Sequence, residues 1–96
     1  MQIEVSGSPA VDVARLRAYA EYRVFTRLVA FAPHLETVRV VVSRSTDHRP
    51  TSCVMTAELR QGGRIQTRSR SRQPTRAVDS AAERLAEAAG ERLQSL

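Results

Sequence analysis

Between positions 60 and 76 the chain carries Arg60, Arg64, Arg68, Arg70, Arg72 and Arg76 and no acidic residue. A guanidinium is a planar fork of donors that grips a phosphate through two hydrogen bonds and stays charged at any physiological pH. From 64 to 72 the arginines alternate with Ile65, Thr67, Ser69 and Ser71. In an extended chain, side chains two residues apart project to the same side at intervals of about 7 Å. Arg68, Arg70 and Arg72 would then stand as a comb, which Arg39 and Arg60 could lengthen from neighbouring strands. That pattern attracts a polyanion and makes the attraction strongly salt-dependent. The competing reading is an edge strand whose arginines discourage aggregation.

Other reactive residue types lack the company that chemistry requires. His34 and His48 sit near loops with no paired carboxylate, so neither reads as a catalytic or metal-binding residue. Cys53 falls on the inward side of a strand pattern and reads as a small buried apolar residue. Gly62-Gly63 has strand-like flanks and no following Lys-Ser/Thr, so it is a hairpin turn and not a phosphate loop. The four aromatics, Tyr19, Tyr22, Phe25 and Phe31, all lie in one helical stretch away from the arginines. Base-stacking platforms are therefore missing, and nucleic-acid contact should read backbone and shape. No nucleophile with a base and no ligand cluster occurs. The expectation is a protein that is not an enzyme, with no cofactor, no metal and no small-molecule substrate.

The elements that would position the comb follow from periodicity. Residues 1–6 alternate apolar and polar as a strand does, and Gly7, Ser8 and Pro9 end it. Asp12 can cap a helix over 13–31, where Val13, Leu16, Ala20, Val24, Leu28 and Phe31 share one face and Pro33 stops the run. Tyr22, Phe25 and Val29 form a second apolar strip on the far side, a candidate partner surface. Residues 37–43 and 52–60 read as strands, separated by a polar loop over 45–50. Val38, Val40 and Val42 face inward on the first; Cys53, Met55, Ala57 and Leu59 face inward on the second. Residues 64–72 return after the glycine turn. Pro74 opens a second helix whose buried face is Val78, Ala81, Ala82, Leu85, Ala89 and Leu93. The fold class is α+β: a β-α-β-β-β-α two-layer sandwich, with a four-stranded mixed sheet and both helices on one face. A helical crossover makes the first two strands parallel if they are neighbours. The other sheet face is left towards solvent.

Length and charge agree with this. The chain has 96 residues, a net charge of +5 and 42% hydrophobic residues. That bounds it to one domain, 1–96, with a core but little room for a deep cavity. All fifteen basic residues are Arg; outside 60–76, nine of them face ten acids. The longest apolar run is too short for a membrane span or a signal core. A single cysteine makes no internal disulfide. The expected location is the cytoplasm, with no membrane partner.

Several stretches resemble the family of ribosome hibernation-promoting factors and ribosome-associated inhibitor A. Met1-Gln2-Ile3-Glu4-Val5-Ser6-Gly7 looks like its opening strand. Phe31-Ala32-Pro33-His34-Leu35 followed by Val38-Arg39-Val40 looks like its helix-to-strand junction. Cys53-Val54-Met55-Thr56-Ala57-Glu58-Leu59, Gly62-Gly63-Arg64-Ile65 and Ala77-Val78-Asp79 resemble its third strand, hairpin and last helix. Order and spacing are kept along nearly the whole chain, although no single motif is diagnostic. Gln73 and Thr75 replace the acidic residue and Tyr often found before the last helix. That helix here carries an acidic stripe, Asp79, Glu83, Glu87 and Glu91, where the family is often basic.

The resemblance implies the same β-α-β-β-β-α fold. It also implies binding to the small ribosomal subunit, in the channel used by messenger and transfer RNA, and a block of translation in resting cells as part of a stress response. Arg39, Arg60, Arg64, Arg68, Arg70, Arg72 and Arg76 would meet ribosomal RNA phosphates. The alternative is a diverged, non-enzymatic interaction module on the same fold, a homodimer or a binder of another protein through Tyr22, Phe25 and Val29 or the acidic stripe. The stripe itself reads as a solvated face or as a contact with the arginine comb.

Overall fold

Among the described residues, seven elements follow one another: β1 (Gln2–Gly7), α1 (Val13–Leu28), a 3-10 helix (Val29–His34), β2 (Leu35–Ser43), β3 (Thr51–Leu59), β4 (Arg64–Ser71) and α2 (Pro74–Gln94). They are seen in a computed structural model that describes residues 1–44, 46 and 49–94. His48, together with residues 45 and 47 of the polar loop expected over 45–50, lies outside the described residues.

The four strands form one sheet in the order β1-β2-β3-β4. β1 and β2 are parallel, with Ile3 opposite Val38 and Val5 opposite Val40. β2 with β3 and β3 with β4 are antiparallel. α1 lies over the β1 side of the sheet and α2 over β3 and β4, both on the same face. This is the expected two-layer sandwich. Alternation does the sorting: Val38, Val40 and Val42 on β2 and Cys53, Met55, Ala57 and Leu59 on β3 are buried. Their odd-numbered or even-numbered neighbours point the other way, because successive strand residues face opposite sides. Leu16, Ala20, Val24 and Leu28 close the core from α1; Ala77, Val78, Ala81, Ala82, Leu85 and Ala89 close it from α2.

α2 comes close to the sheet because both surfaces are small. The Ser69 hydroxyl donates to the Ala77 carbonyl, and Thr67 donates to the Ala81 carbonyl at 3.0 Å. Two polar side chains of β4 thereby dock on backbone that alanines leave accessible.

Several boundaries differ from the sequence expectation: β1 spans Gln2–Gly7 rather than 1–6, and β3 spans Thr51–Leu59 rather than 52–60, which leaves Arg60 beyond the strand. α1 ends at Leu28 rather than at 31, and the chain tightens into a 3-10 helix that contains Pro33. Proline has no N–H for an i→i−4 bond, so the shorter-range turn takes over before the strand. Phe31 accordingly packs half-buried at the core's margin. β2 starts two residues earlier, at Leu35, and a bulge separates Leu35 from Thr37. β4 ends at Ser71, so Arg72 lies beyond the strand.

Cys53 is fully buried, as expected. Burial pushes its thiol up from 9.0 to about 12, because a thiolate there would be stripped of water. The folded chain therefore keeps this proton where the unfolded chain has lost it. Stability is intact below pH 9 and falls as pH rises towards 12, by up to about 4 kcal/mol. Tyr19 acts in the same sense, its phenol held up by a hydrogen bond to Asp79. Urea unfolding at pH 8, 10 and 11 should show falling midpoints. Cys53→Ala, although less stable at pH 8, should show the shallower decline.

Candidate nucleic-acid interface

β4 is an edge strand, and Ile65 and Ser69 occupy its buried side. Arg64, Gln66, Arg68 and Arg70 therefore project from the open face of the sheet, all exposed. Pairing across the strands sets the layout of this face in rows. Gln2, Thr37, Glu58 and Arg64 make one row; Glu4, Arg39, Thr56 and Gln66 the next. Ser6, Val41, Val54 and Arg68 follow, then Ser43, Ser52 and Arg70. Arg68 and Arg70 are thus neighbours on one side, about 7 Å apart by strand geometry.

Pairing divides the arginines into two groups. Arg39 is bound to Glu4 at 3.1 Å and Arg64 approaches Glu58 at 3.8 Å. Both contacts are solvent-exposed, where an ion pair contributes about 0–1 kcal/mol and yields readily to a stronger anion. Arg60, Arg68, Arg70, Arg72 and Arg76 have no carboxylate partner among the described residues. Arg60 follows β3 at the hairpin end, where its backbone N–H bonds the His34 carbonyl. Arg72 lies past the opposite end of β4. Arg76 sits in the first turn of α2, in the helix layer rather than on the open face. The comb is therefore Arg68 and Arg70, flanked by Arg72 and by the paired Arg39 and Arg64.

Support comes from behind the strand. Arg84 of α2 donates through Nη1 to the Arg68 carbonyl. This occupies an edge acceptor of β4 and pins the backbone at the centre of the comb. Nothing in the local sequence around Arg68 foretells it, since the donor arrives from sixteen residues away.

The acidic stripe neither stays wholly solvated nor reaches the comb. Asp79 accepts a hydrogen bond from the Tyr19 hydroxyl at 2.6 Å and lies 2.8 Å from Arg23 Nε. The Arg23 N–H does not point along that contact, so the attraction is electrostatic and not a hydrogen bond. Glu83 pairs with Arg27 at 2.6 Å. Tyr19, Arg23 and Arg27 recur every four residues on α1, and Asp79 and Glu83 do so on α2, so the two helices meet along one charged seam. The seam spends two of α2's acids on α1's bases and leaves the open face of the sheet untouched by them. Local sequence does not show it because each half lies on a different helix, 56 to 60 residues apart.

Tyr22 and Phe25 of α1 and Val29 of the 3-10 helix are exposed at 63%, 52% and 48%. His34 is exposed and takes part through its backbone. No group of three or more His, Cys, Asp or Glu side chains able to hold a metal occurs among the described residues. No helix among them is long and apolar enough to cross a membrane.

A mixed sheet in simple 1-2-3-4 order, carrying both helices on one side, is a fold shared with two solved structures. A ribosomal subunit interface protein from Coxiella burnetii superposes with a TM-score of 0.83 over 98% of this chain and 99% of its own, at 15% identity. The N-terminal domain of Protein Y from Thermus thermophilus superposes with a TM-score of 0.79 over 95% of this chain and 98% of its own, at 21% identity. At such identities the likeness is one of fold, and it agrees with the resemblance read from the sequence. No family model and no curated protein matches the sequence itself.

Proposed function

We propose that the protein is a cytoplasmic, ribosome-associated factor without catalytic activity, held on the small subunit by the open face of its sheet. The observation that carries this reading is the pair Arg68 and Arg70: exposed, side by side, and without a carboxylate of their own. Arg72, Arg60 and Arg76 extend the positive field, and Arg39 and Arg64 join once phosphates displace Glu4 and Glu58. The likeness of fold to the ribosomal subunit interface protein from Coxiella burnetii supports the partner. The contact is with the phosphate backbone, since no aromatic side chain occupies this face. A folded domain of this size lying in the messenger and transfer RNA channel would exclude those ligands sterically, without chemistry.

Cosedimentation with small subunits at about 50 and 200 mM salt tests this. Six to ten phosphate contacts correspond to a loss of about 10³–10⁵ in affinity over that range, and half as many to the square root of it. Absence from the pellet at low salt, or a pellet indifferent to salt, refutes the reading.

A second reading rests on the exposed strip of Tyr22, Phe25 and Val29, which suits a protein partner or a second copy. Sedimentation velocity over a hundredfold range of protein concentration should then show self-association that Phe25→Glu abolishes. A monomer throughout removes the homodimer.

A further inference from the structure

α1 carries two apolar faces. Leu16, Ala20, Val24 and Leu28 are buried, while Ala14, Ala18, Tyr22 and Phe25 are exposed. At 3.6 residues per turn these four fall within an arc of about 80°, turned away from the buried set. Val29, exposed and still helical in its backbone, extends the stripe by one residue. The stripe is graded, with small side chains in its N-terminal half and large ones in its C-terminal half. Glu21 borders it, and Arg17 stands one turn earlier on the same flank, both exposed. Glu21 has no ion-pair partner among the described residues. Arg17 makes one long contact, from Nη2 to the Val5 carbonyl at 3.5 Å.

We infer that the protein pairs with a second copy of itself through α1, the two helices antiparallel about a two-fold axis near position 20. The inference rests on the reading of this strip as a partner surface and commits it to one occupant. A two-fold interface must be complementary to itself, with residue i meeting j and j meeting i. The graded stripe meets that condition only when antiparallel. Ala18 then falls opposite Tyr22 of the second copy and Ala14 opposite Phe25, so every large side chain lies over a small one. Parallel helices would set alanine on alanine, leaving a void, and aromatic on aromatic. Charge selects the same register. A two-fold axis across the helices keeps like flanks together, which brings Glu21 within about 3 Å, along the axis, of Arg17 of the other copy. The attraction occurs twice per dimer. The sixteen residues of α1 span about 24 Å. One such helix pair sits at the low end of stable interfaces, so the dimer forms at micromolar concentration.

A charge swap read by sedimentation velocity at low salt tests the pairing without ribosomes. The parent should pass from monomer to dimer as its concentration rises from about 1 μM to 1 mM. Glu21→Arg and Arg17→Glu each set like charges together at two symmetric places and should weaken the dimer by about tenfold or more. The double variant Arg17→Glu/Glu21→Arg restores both attractions and should return to within about threefold of the parent. That recovery separates pairing from damage to the fold, since a misfolded single variant would not be rescued by a second substitution. A parent that is monomeric at every concentration overturns the inference. So does a dimer that ignores either single variant or that the double variant does not restore. If such a dimer is still abolished by Phe25→Glu, the strip remains the interface and only the antiparallel register falls. If it survives Phe25→Glu, the strip itself is not the interface. None of these outcomes touches the arginines of the open sheet face, whose reading stands on its own cosedimentation test.

Discussion

Replacing Arg68, Arg70 and Arg72 together by alanine is expected to weaken association with the small ribosomal subunit by about a hundredfold to a thousandfold at low salt. A hydrogen bond to a charged group contributes about 1.5–3 kcal/mol, so loss of two or three contacts reaches that range. The slope of log affinity against log salt should flatten by about 0.7–0.9 for each phosphate contact removed. Stability should barely change, because these side chains are exposed and unpaired. Arg39→Ala and Arg64→Ala should each lose less, since an existing partner already neutralises part of their charge. The converse is more telling. Glu4→Gln and Glu58→Gln release Arg39 and Arg64 and should tighten binding. Arg27→Ala breaks the helix seam at Glu83 and should leave ribosome binding unchanged. If the triple variant pellets like the parent, the open sheet face is not the contact surface.

Glycine substitutions should give the largest spread in stability, and with opposite signs. A Cβ on Gly7 would lie 2.4 Å from the Val42 carbonyl oxygen and 2.7 Å from Val13 Cγ2. The first obstacle is backbone: β1 pairs there with β2, Gly7 opposite Val42, and the next residue, Ser8, donates its N–H to that same oxygen. Relief requires moving the end of an edge strand away from its neighbour. Gly7→Ala should therefore cost about 3 kcal/mol, at the upper end for overpacking. For a domain of this length that lowers Tm by about 12–24 °C. Gly62, at φ +99°, has open space around its Cβ position. Gly62→Ala meets only backbone strain and should cost about 1 kcal/mol. Gly90 lies within α2, where a Cβ would meet Phe31 Cζ at an ordinary 3.7 Å. Gly90→Ala should stabilise by up to about 1 kcal/mol through helix propensity. Thermal unfolding of the three variants checks the order, and a Gly7→Ala protein as stable as the parent would contradict the close approach of β1 to β2.

Periodicity carried most of the architecture. The period of two in 52–60 and 64–72 placed Cys53, Met55, Ala57 and Leu59 inside and Arg64, Arg68 and Arg70 outside, because a strand cannot turn one side chain without turning all of them. The same logic found the buried face of α2 and the unburied strip of Tyr22, Phe25 and Val29. Helix ends were less legible. Pro33 signalled a stop, but the switch to a 3-10 helix at Val29 depends on how the chain must enter β2, which is a property of the packed sheet.

What the amino-acid order determined unaided is the set of local alternations, the turn at Gly62-Gly63, and the absence of acid between Arg60 and Arg76. Each depends on residues within a few positions of one another. Which arginines stay available was decided only by the tertiary structure. Glu4 reaches Arg39 because β1 lies parallel beside β2; Asp79 and Glu83 turn to Arg23 and Arg27 because α1 lies beside α2; Arg84 props Arg68 because α2 crosses β4. Coulomb attraction acts through space and not along the chain, so the free charge of this surface is a property of the fold.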